Sequence, residues 1–344
     1  MTPPAKQPTA WTSVYLAAKE RVARLLCIAG VPALSRLRNR RRLAILMFHG
    51  IEPEPLSPTC WHVLDAASLR RQLEYVRRHF TVLPLHDALE RMRAGTLPDR
   101  AAVLTFDDGT RNLALHAAPV LQELQLPAAV FLSTGPMGSD VTLWPDRLWL
   151  ALANTSAAQV DLTDAGLRAY PLRTRTDRGT AYAHAVLRFK DFPDAERIER
   201  MDALMSTLGQ ADNTDPGPFR LLSWDEARAL AADGLVSLYP HTVTHPILSR
   251  CSDEKVNREI SDSCSTVERE TGQAPVIFAY PNGRAQDFDE RAKAVLRRNG
   301  VRWALSTSYG FADANSDPMA LPRISIGSNL SWAGFRVLVS GLRR

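Results

Sequence analysis

The segment AAVLTFDDGT, residues 101–110, runs six positions without a charge, then sets two aspartates side by side and turns on a glycine. A strand half-exposed to water alternates polar with apolar residues, whereas one covered on both faces is apolar almost throughout. The first six residues are of the second kind, and so are LAILMF (43–48), AAVFLS (128–133), LVSLY (235–239), VIFAY (276–280) and VRWALS (301–306). Amphipathic stretches with helical spacing lie among them at 67–79, 111–125, 223–233, 253–271 and 287–299. Buried strands alternating with helices predict an α/β protein with a parallel sheet, either doubly wound or closed into a (β/α) barrel. Both architectures carry their chemistry at the carboxyl ends of the strands. His49 follows LMF, Asp107 and Asp108 follow LTF, His241 follows SLYP, and PNG follows FAY. Polar residues scattered over more than 190 positions therefore converge on one rim.

The composition is that of an ordinary folded protein: 344 residues, 45% hydrophobic and 23% charged, bury one large core or two modest ones. The net charge of +5 is concentrated in Arg36, Arg38, Arg40, Arg41 and Arg42. The remainder is near neutral, which argues against a nucleic-acid footprint. Cys27, Cys60, Cys251 and Cys264 show no metal-site or disulfide-scaffold spacing and read as reduced thiols.

Residues 1–42 form a basic amphipathic N-terminal segment. Trp11, Val14, Tyr15, Ala18, Val22, Leu25, Leu26 and Ala29 draw one helical face, opposite Lys19, Glu20 and Arg24. The least polar run, 25–34, is too short to span a bilayer and contains Pro32. Acidic and basic residues break the longer apolar region to which that run belongs, and no clear cleavage site for a signal peptide follows. The expectation is a helix that packs on the protein body or lies in the headgroups of an anionic leaflet, with the protein cytoplasmic or peripheral on the inner membrane face. The barrel-like pattern occupies 43–136 and 222–344, and the interval 137–221 reads as a mostly helical insertion, since a structureless connection of that length is unusual. TLWPDRLWLALA and DAERIERMDALMSTL are its best helices. Leaving and re-entering near the rim, the insertion is placed to form a lid or a wall. Its Trp144 and Trp149, flanking Asp146 and Arg147, either pack inward or stack on a ligand.

HTVTHP places His241 and His245 four residues apart, a spacing at which two imidazoles reach one ion. With Asp108 they make two histidines and a carboxylate, the ligand set of a catalytic zinc centre that keeps a position open. Asp107 can then stay ionised beside the cation as a base for water. The rival account of the acidic pair is the N-terminus of a helix beginning near Thr110. Adjacent aspartates point to opposite sides of a strand, so they cannot flank a glycosidic bond as the two acids of a glycosidase do.

LTFDDGT, HTVTHPILS and FAYPNGR, in this order, resemble the signature segments of the polysaccharide deacetylases of carbohydrate esterase family 4, the NodB-homology domain. The resemblance covers Leu43 to about Ile326 apart from the insertion. It implies a distorted (β/α) barrel and the hydrolysis of N-acetyl, O-acetyl or N-formyl groups of sugars with zinc or a similar divalent cation. Residue by residue, it implies Asp107 as general base and Asp108, His241 and His245 as metal ligands. Thr242 would support the loop of the second histidine, and the backbone N–H of Tyr280 would meet the oxyanion. The late segment ALPRISIGS lacks the histidine that many members use as proton donor. ILMFHGI instead resembles the N-terminal motif of the poly-N-acetylglucosamine deacetylase branch, which implies His49 as the acid. Ala279 stands where many members have an arginine that orients the base, leaving Arg284 and Arg323 as replacements or as ordinary surface and rim residues. The expected substrate is an amino-sugar glycan of an envelope or extracellular polysaccharide, or its lipid-linked precursor. The alternatives are deformylation or deacetylation of a lipid-linked monosaccharide, and a noncatalytic carbohydrate-binding or assembly module on a degenerate barrel.

Overall fold

Seven parallel strands carry the architecture: β1 (Ala44–Phe48), β2 (Ala101–Phe106), β3 (Ala128–Leu132), β4 (Val236–Pro240), β5 (Ile277–Ala279), β6 (Trp303–Tyr309) and β7 (Leu321–Ser325). They belong to a computed structural model that describes residues 10–210 and 215–342. Pairing runs β5-β6-β7-β1-β2-β3-β4, so the strands follow one another around a ring in chain order with a single break between β4 and β5. This is a nearly closed (β/α) barrel and excludes the doubly wound sheet, whose strand order reverses. The register is regular, with Ile45 opposite Val103, Thr105 opposite Ala129 and Val130 opposite Leu238.

The near-continuous apolar runs are explained by two cores that the strands serve at once. Ile45, Val103, Phe131, Ala279, Leu305 and Leu321 share one, which the helix Leu85–Ala94 joins through Leu85, Ala88 and Leu89. The alternate residues Leu46, Leu104, Phe106 and Val130 enter another beneath the helices Ala66–His79 and Ala118–Leu124. Period-two alternation thus persists in the backbone but leaves no polar face. Strand β7 is absent from the sequence-based expectation because Pro322, Arg323 and Ser325 break its apolar run.

Between β3 and β4, residues 137–221 hold the helices Trp144–Asn154, Arg175–Phe189 and Asp194–Thr207 and a short antiparallel pair, Gln159–Asp161 with Ala169–Pro171. The first and third helices match the two expected ones, whereas the second and the strand pair lie outside the sequence-based expectation. Thr174 and Asp177 start the helix Arg175–Phe189 with reciprocal side-chain-to-backbone bonds. Its apolar face, Ala181, Tyr182, Ala185 and Phe189, meets Trp144, Trp149, Tyr170 and Phe192 in a separate core, so both tryptophans pack inward. That core touches the barrel through Cys60, Val63 and Ile247.

The N-terminal helix spans Ala10–Ile28 and turns at Gly30 into a second helix, Val31–Arg38. It packs through Ala23, Leu26 and Cys27 on Ala333 and Val337 of the helix Trp332–Leu338. The expected apolar stripe is therefore split, since Val22 and Leu25 face away from the body. Trp11, Val14 and Tyr15 have side chains outside the described residues.

Truncating Phe189, 1% exposed in the core of residues 137–221, should cost about 3–5 kcal/mol. Chemical denaturation of Phe189→Ala checks this, and a loss under 1 kcal/mol would mean the insertion is not a cooperative part of the fold.

Candidate active site

The carboxyl ends of β1, β2, β4, β5 and β7 surround a cavity of about 320 Å³. Asp107 and Asp108 leave β2 in opposite directions. Asp107 accepts two hydrogen bonds from Arg323 of β7, Nη1 to Oδ1 and Nη2 to Oδ2, both 2.7 Å. The pair is buried, with side-chain exposures of 0% and 3%. Arg323 Nε donates to Ser306 O at 2.8 Å, so the fork is aimed by β6 as well. Burial works against ionisation of Asp107, but the Arg323 guanidinium holds its carboxyl below the usual carboxylate range.

Asp108 faces the histidines. Its Oδ1 lies 3.5 Å from His241 Nε2 and 3.3 Å from His245 Nε2. These are the edge lengths of a tetrahedron of ligands at about 2.0–2.1 Å from a central zinc-like cation. Neither Asp108 Oδ1 nor His245 Nδ1 has a hydrogen-bond partner, although both are buried. His241 Nδ1 lies 2.7 Å from the carbonyl of Ala279, so it donates there and leaves the Nε2 lone pair directed at Asp108. The donor set fits a divalent cation: an orphaned carboxylate oxygen and two imidazole nitrogens, one with its tautomer fixed.

The backbone is bent to make this possible. Six non-glycine residues among those described have positive φ, and four are here: Asp108 (72°), Thr242 (67°), His245 (58°) and Asn282 (60°). Such conformations persist where surrounding contacts over-determine them. Thr242 Oγ1 accepts the N–H of His245 at 3.1 Å. Glu259, on the helix Asp253–Thr271, takes the N–H groups of Val243 and Thr244 at 2.9 and 2.8 Å, fixing the loop between the histidines.

His49, after β1, lines the same cavity. Burial pushes its imidazole down to about 4 against the pull of Asp108 and Asp107, and its Nδ1 is buried without a partner. Beside it stands His62, with ring centres 5.8 Å apart, which the sequence reading did not single out. His62 Nε2 lies 2.8 Å from Asp146 Oδ1, and Asp146 belongs to the insertion helix Trp144–Asn154. Burial alone would strip the proton from His62, but Cys60 and Asp146 hold its pKa well above the ordinary value. Burial also lifts Asp146, so the pair keeps a proton between them.

Tyr280 is a correction to the sequence-based assignment. Its N–H donates to Leu305 O at 3.1 Å in the β5–β6 ladder, and its hydroxyl donates to Met319 O at 3.0 Å. Its ring stacks on Phe288 away from the cavity, so both of its donors are engaged outside the cavity lining. Two positions on, Asn282 lines the cavity with a buried Nδ2 that has no partner. Arg284 lines the cavity too, but Arg323 is the arginine that holds Asp107. Trp61 lines it with 41% of its surface exposed, and Leu143, Val186, Leu187 and Lys190 of the insertion form the facing wall. Burial and Arg284 bring Lys190 down to about 8.

The profile of the family described as polysaccharide deacetylase matches residues 94–163 and 187–304. Those residues include Asp107, Asp108, His241, His245 and Asn282, whereas His49, His62 and Arg323 lie outside them. Over 104 residues the chain is 32% identical to the poly-beta-1,6-N-acetyl-D-glucosamine N-deacetylase of Escherichia coli K12, a stretch that is 30% of this chain and 15% of that protein's length. The Streptococcus pyogenes deacetylase PplD in complex with acetate superposes with a TM-score of 0.56 at 18% identity, covering 89% of this chain and 100% of that one. IcaB from Ammonifex degensii does so with a TM-score of 0.56 at 17% identity, covering 87% and 97%. At these identities the structural likeness speaks for the fold.

Replacing Arg323 with Met leaves Asp107 buried without its cation, and unfolding free energy at pH 7 should fall by about 3–5 kcal/mol. The folded pKa of Asp107 is lowered, so the stability it contributes is complete above the usual carboxylate range and is lost as pH falls through the folded value. The gap between Arg323→Met and wild type therefore narrows toward acid pH. A gap that is constant from neutral to acid pH would deny the pair this role.

Proposed function

The chain belongs to the polysaccharide deacetylase family, and from that premise we propose that it is a metal-dependent hydrolase that removes N-acetyl groups from amino-sugar units of a glycan. One observation carries the reading: a buried carboxylate held ionised by Arg323 stands next to an Asp108–His241–His245 set fit for a cation, in one cavity. A noncatalytic sugar-binding module has no use for that base beside that set.

Asp108, His241 and His245 would hold the cation. The chemistry such a cation would supply there is Lewis acidity toward the acyl carbonyl and water. Asp107 accepts the proton of the attacking water; its two oxygens each receive one bond from Arg323 and keep further lone pairs for that proton. Asn282 Nδ2, in place of Tyr280, donates to the oxygen on which negative charge develops. The C–N bond then breaks, acetate departs, and the amine leaves with a proton from an imidazole. Trp61 offers its exposed face to the sugar ring.

His49 is the proton donor that the motif resemblance implies. A second reading, favoured by the His62–Asp146 contact at 2.8 Å, gives the role to His62: burial disfavours the protonated imidazole of His49, whereas Cys60 and Asp146 favour that of His62. His49→Gln and His62→Gln separate the two. Loss of the donor lowers kcat about 10²- to 10⁴-fold and removes the alkaline limb of the pH profile; loss of the other histidine leaves that limb in place.

Asp107→Asn should retain stoichiometric binding of zinc or cobalt by calorimetry, yet release acetate from N-acetylglucosamine oligomers at least about 10²-fold more slowly. Chelation should abolish release by the wild type, and restored cation should return it. A wild type that binds the cation but releases nothing would point to a lipid-linked or formylated sugar. A chain that binds no cation would sink the hydrolase reading.

A further inference from the structure

Ten large apolar side chains stand exposed among the described residues, and five of them fall between positions 22 and 37: Val22 (55%), Leu25 (64%), Ile28 (83%), Leu34 (69%) and Leu37 (55%). Val22, Leu25 and Ile28 recur at steps of three along the helix Ala10–Ile28, on the side away from Ala23 and Cys27, which pack on the body. Leu34 and Leu37 continue the surface along the helix Val31–Arg38. Isolated exposed leucines need no explanation, but a run concentrated on two consecutive helices does.

The charge around this surface identifies its occupant. Residues 10–42 hold eight lysines and arginines and one acidic residue, Glu20, a balance of +7 that leaves the rest of the chain at −2. Arg24 pairs with Glu20, Arg40 with Asp99 and Arg42 with Asp313. Arg36 donates to Tyr75. Arg21, Arg38 and Arg41 make no ion pair among the described residues. Arg38, Arg40 and Arg41 also border an open groove with Val31, Leu34 and Leu37. Guanidinium groups alternating with aliphatic side chains match a surface that presents phosphates above acyl chains. No described helix is long and apolar enough to cross a membrane, so the segment would lie along the interface.

We propose that the face made by Val22, Leu25, Ile28, Leu34 and Leu37, with Arg38 and Arg41 beside it, docks the protein on an anionic phospholipid bilayer. The acyl side chains take the aliphatic residues, and the lipid phosphates take the arginines. The docking surface is built from residues apart from the cavity, so it stands whether or not the catalytic reading does.

The test is co-sedimentation of the full chain with vesicles of phosphatidylcholine alone and vesicles enriched in phosphatidylglycerol. Expected are binding at least about tenfold tighter to the anionic vesicles, weakening as salt rises, and a monomer in sedimentation equilibrium without lipid. Arg38→Gln with Arg41→Gln should weaken anionic binding by about fivefold per arginine. Leu25→Gln with Ile28→Gln and Leu34→Gln should abolish binding to both kinds of vesicle. Melting curves matching wild type would show these variants folded, as their exposure leads one to expect. Equal affinity for neutral and anionic vesicles, no binding by folded protein, or unaltered binding by the variants would each overturn the proposal. So would a lipid-free dimer that the leucine and isoleucine substitutions dissociate, because the face would then belong to a second copy.

Discussion

A carboxylate buried beside a second carboxylate has to be neutralised where it stands, and Arg323 does this for Asp107. Taking both charges out of water costs several kcal/mol per ion, which their attraction offsets only if the geometry is good and the other donors are used. Two 2.7 Å bonds to Asp107 and a third to Ser306 O meet that requirement. The guanidinium thereby ties β2, β6 and β7 together, and its 0% exposure depends on β7 lying where it does. With Asp107 fixed toward Arg323, Asp108 must turn out of the strand, and its φ of 72° is the turn. The two adjacent like charges in DDG are thus separated by backbone geometry and compensated by different partners.

The metal-fitting set is held from outside as firmly as the base. His241 Nδ1 crosses the break between β4 and β5 to the carbonyl of Ala279, where no backbone ladder closes the barrel. One side chain thus fixes its own tautomer and spans the open seam. Glu259 clamps the two N–H groups of the following loop, and Thr242 caps His245. These contacts keep a non-glycine backbone in left-handed conformations that a free loop would leave.

Six of the seven strands, and most of the helices between them, are legible in the sequence because both signals are local: apolar runs and helical spacing. Strand β7 is not, since it exists partly to carry a buried arginine, and Arg323 looks like a rim residue until its partner 216 positions away is known. Asp108, His241 and His245 are legible from residue type and spacing. The N–H of Tyr280, which the resemblance offers to an oxyanion, is spent on Leu305, because a sequence does not say which N–H groups a sheet ladder has already taken. His62 is missed for a related reason: WHV shows nothing unusual without Asp146, which arrives from a different part of the fold. The helix Arg175–Phe189 hides behind its arginines, threonines and glycine, and only its capping pair, Thr174 with Asp177, gives a local hint.

Residues 137–221 fold around a core of their own yet place Leu143, Asp146, Val186, Leu187 and Lys190 on the cavity. The barrel supplies the opposite wall with Asp107, Asp108 and the histidines. The two walls of one cavity therefore come from separately packed bodies, joined across it by the contact of His62 with Asp146. A change in the insertion's surface residues can redraw the cavity while the packing beneath Arg323 and Asp107 stays as it was. Scaffold and lining are thus separable here: function lives in residues grafted on a fold, and this graft has a core of its own.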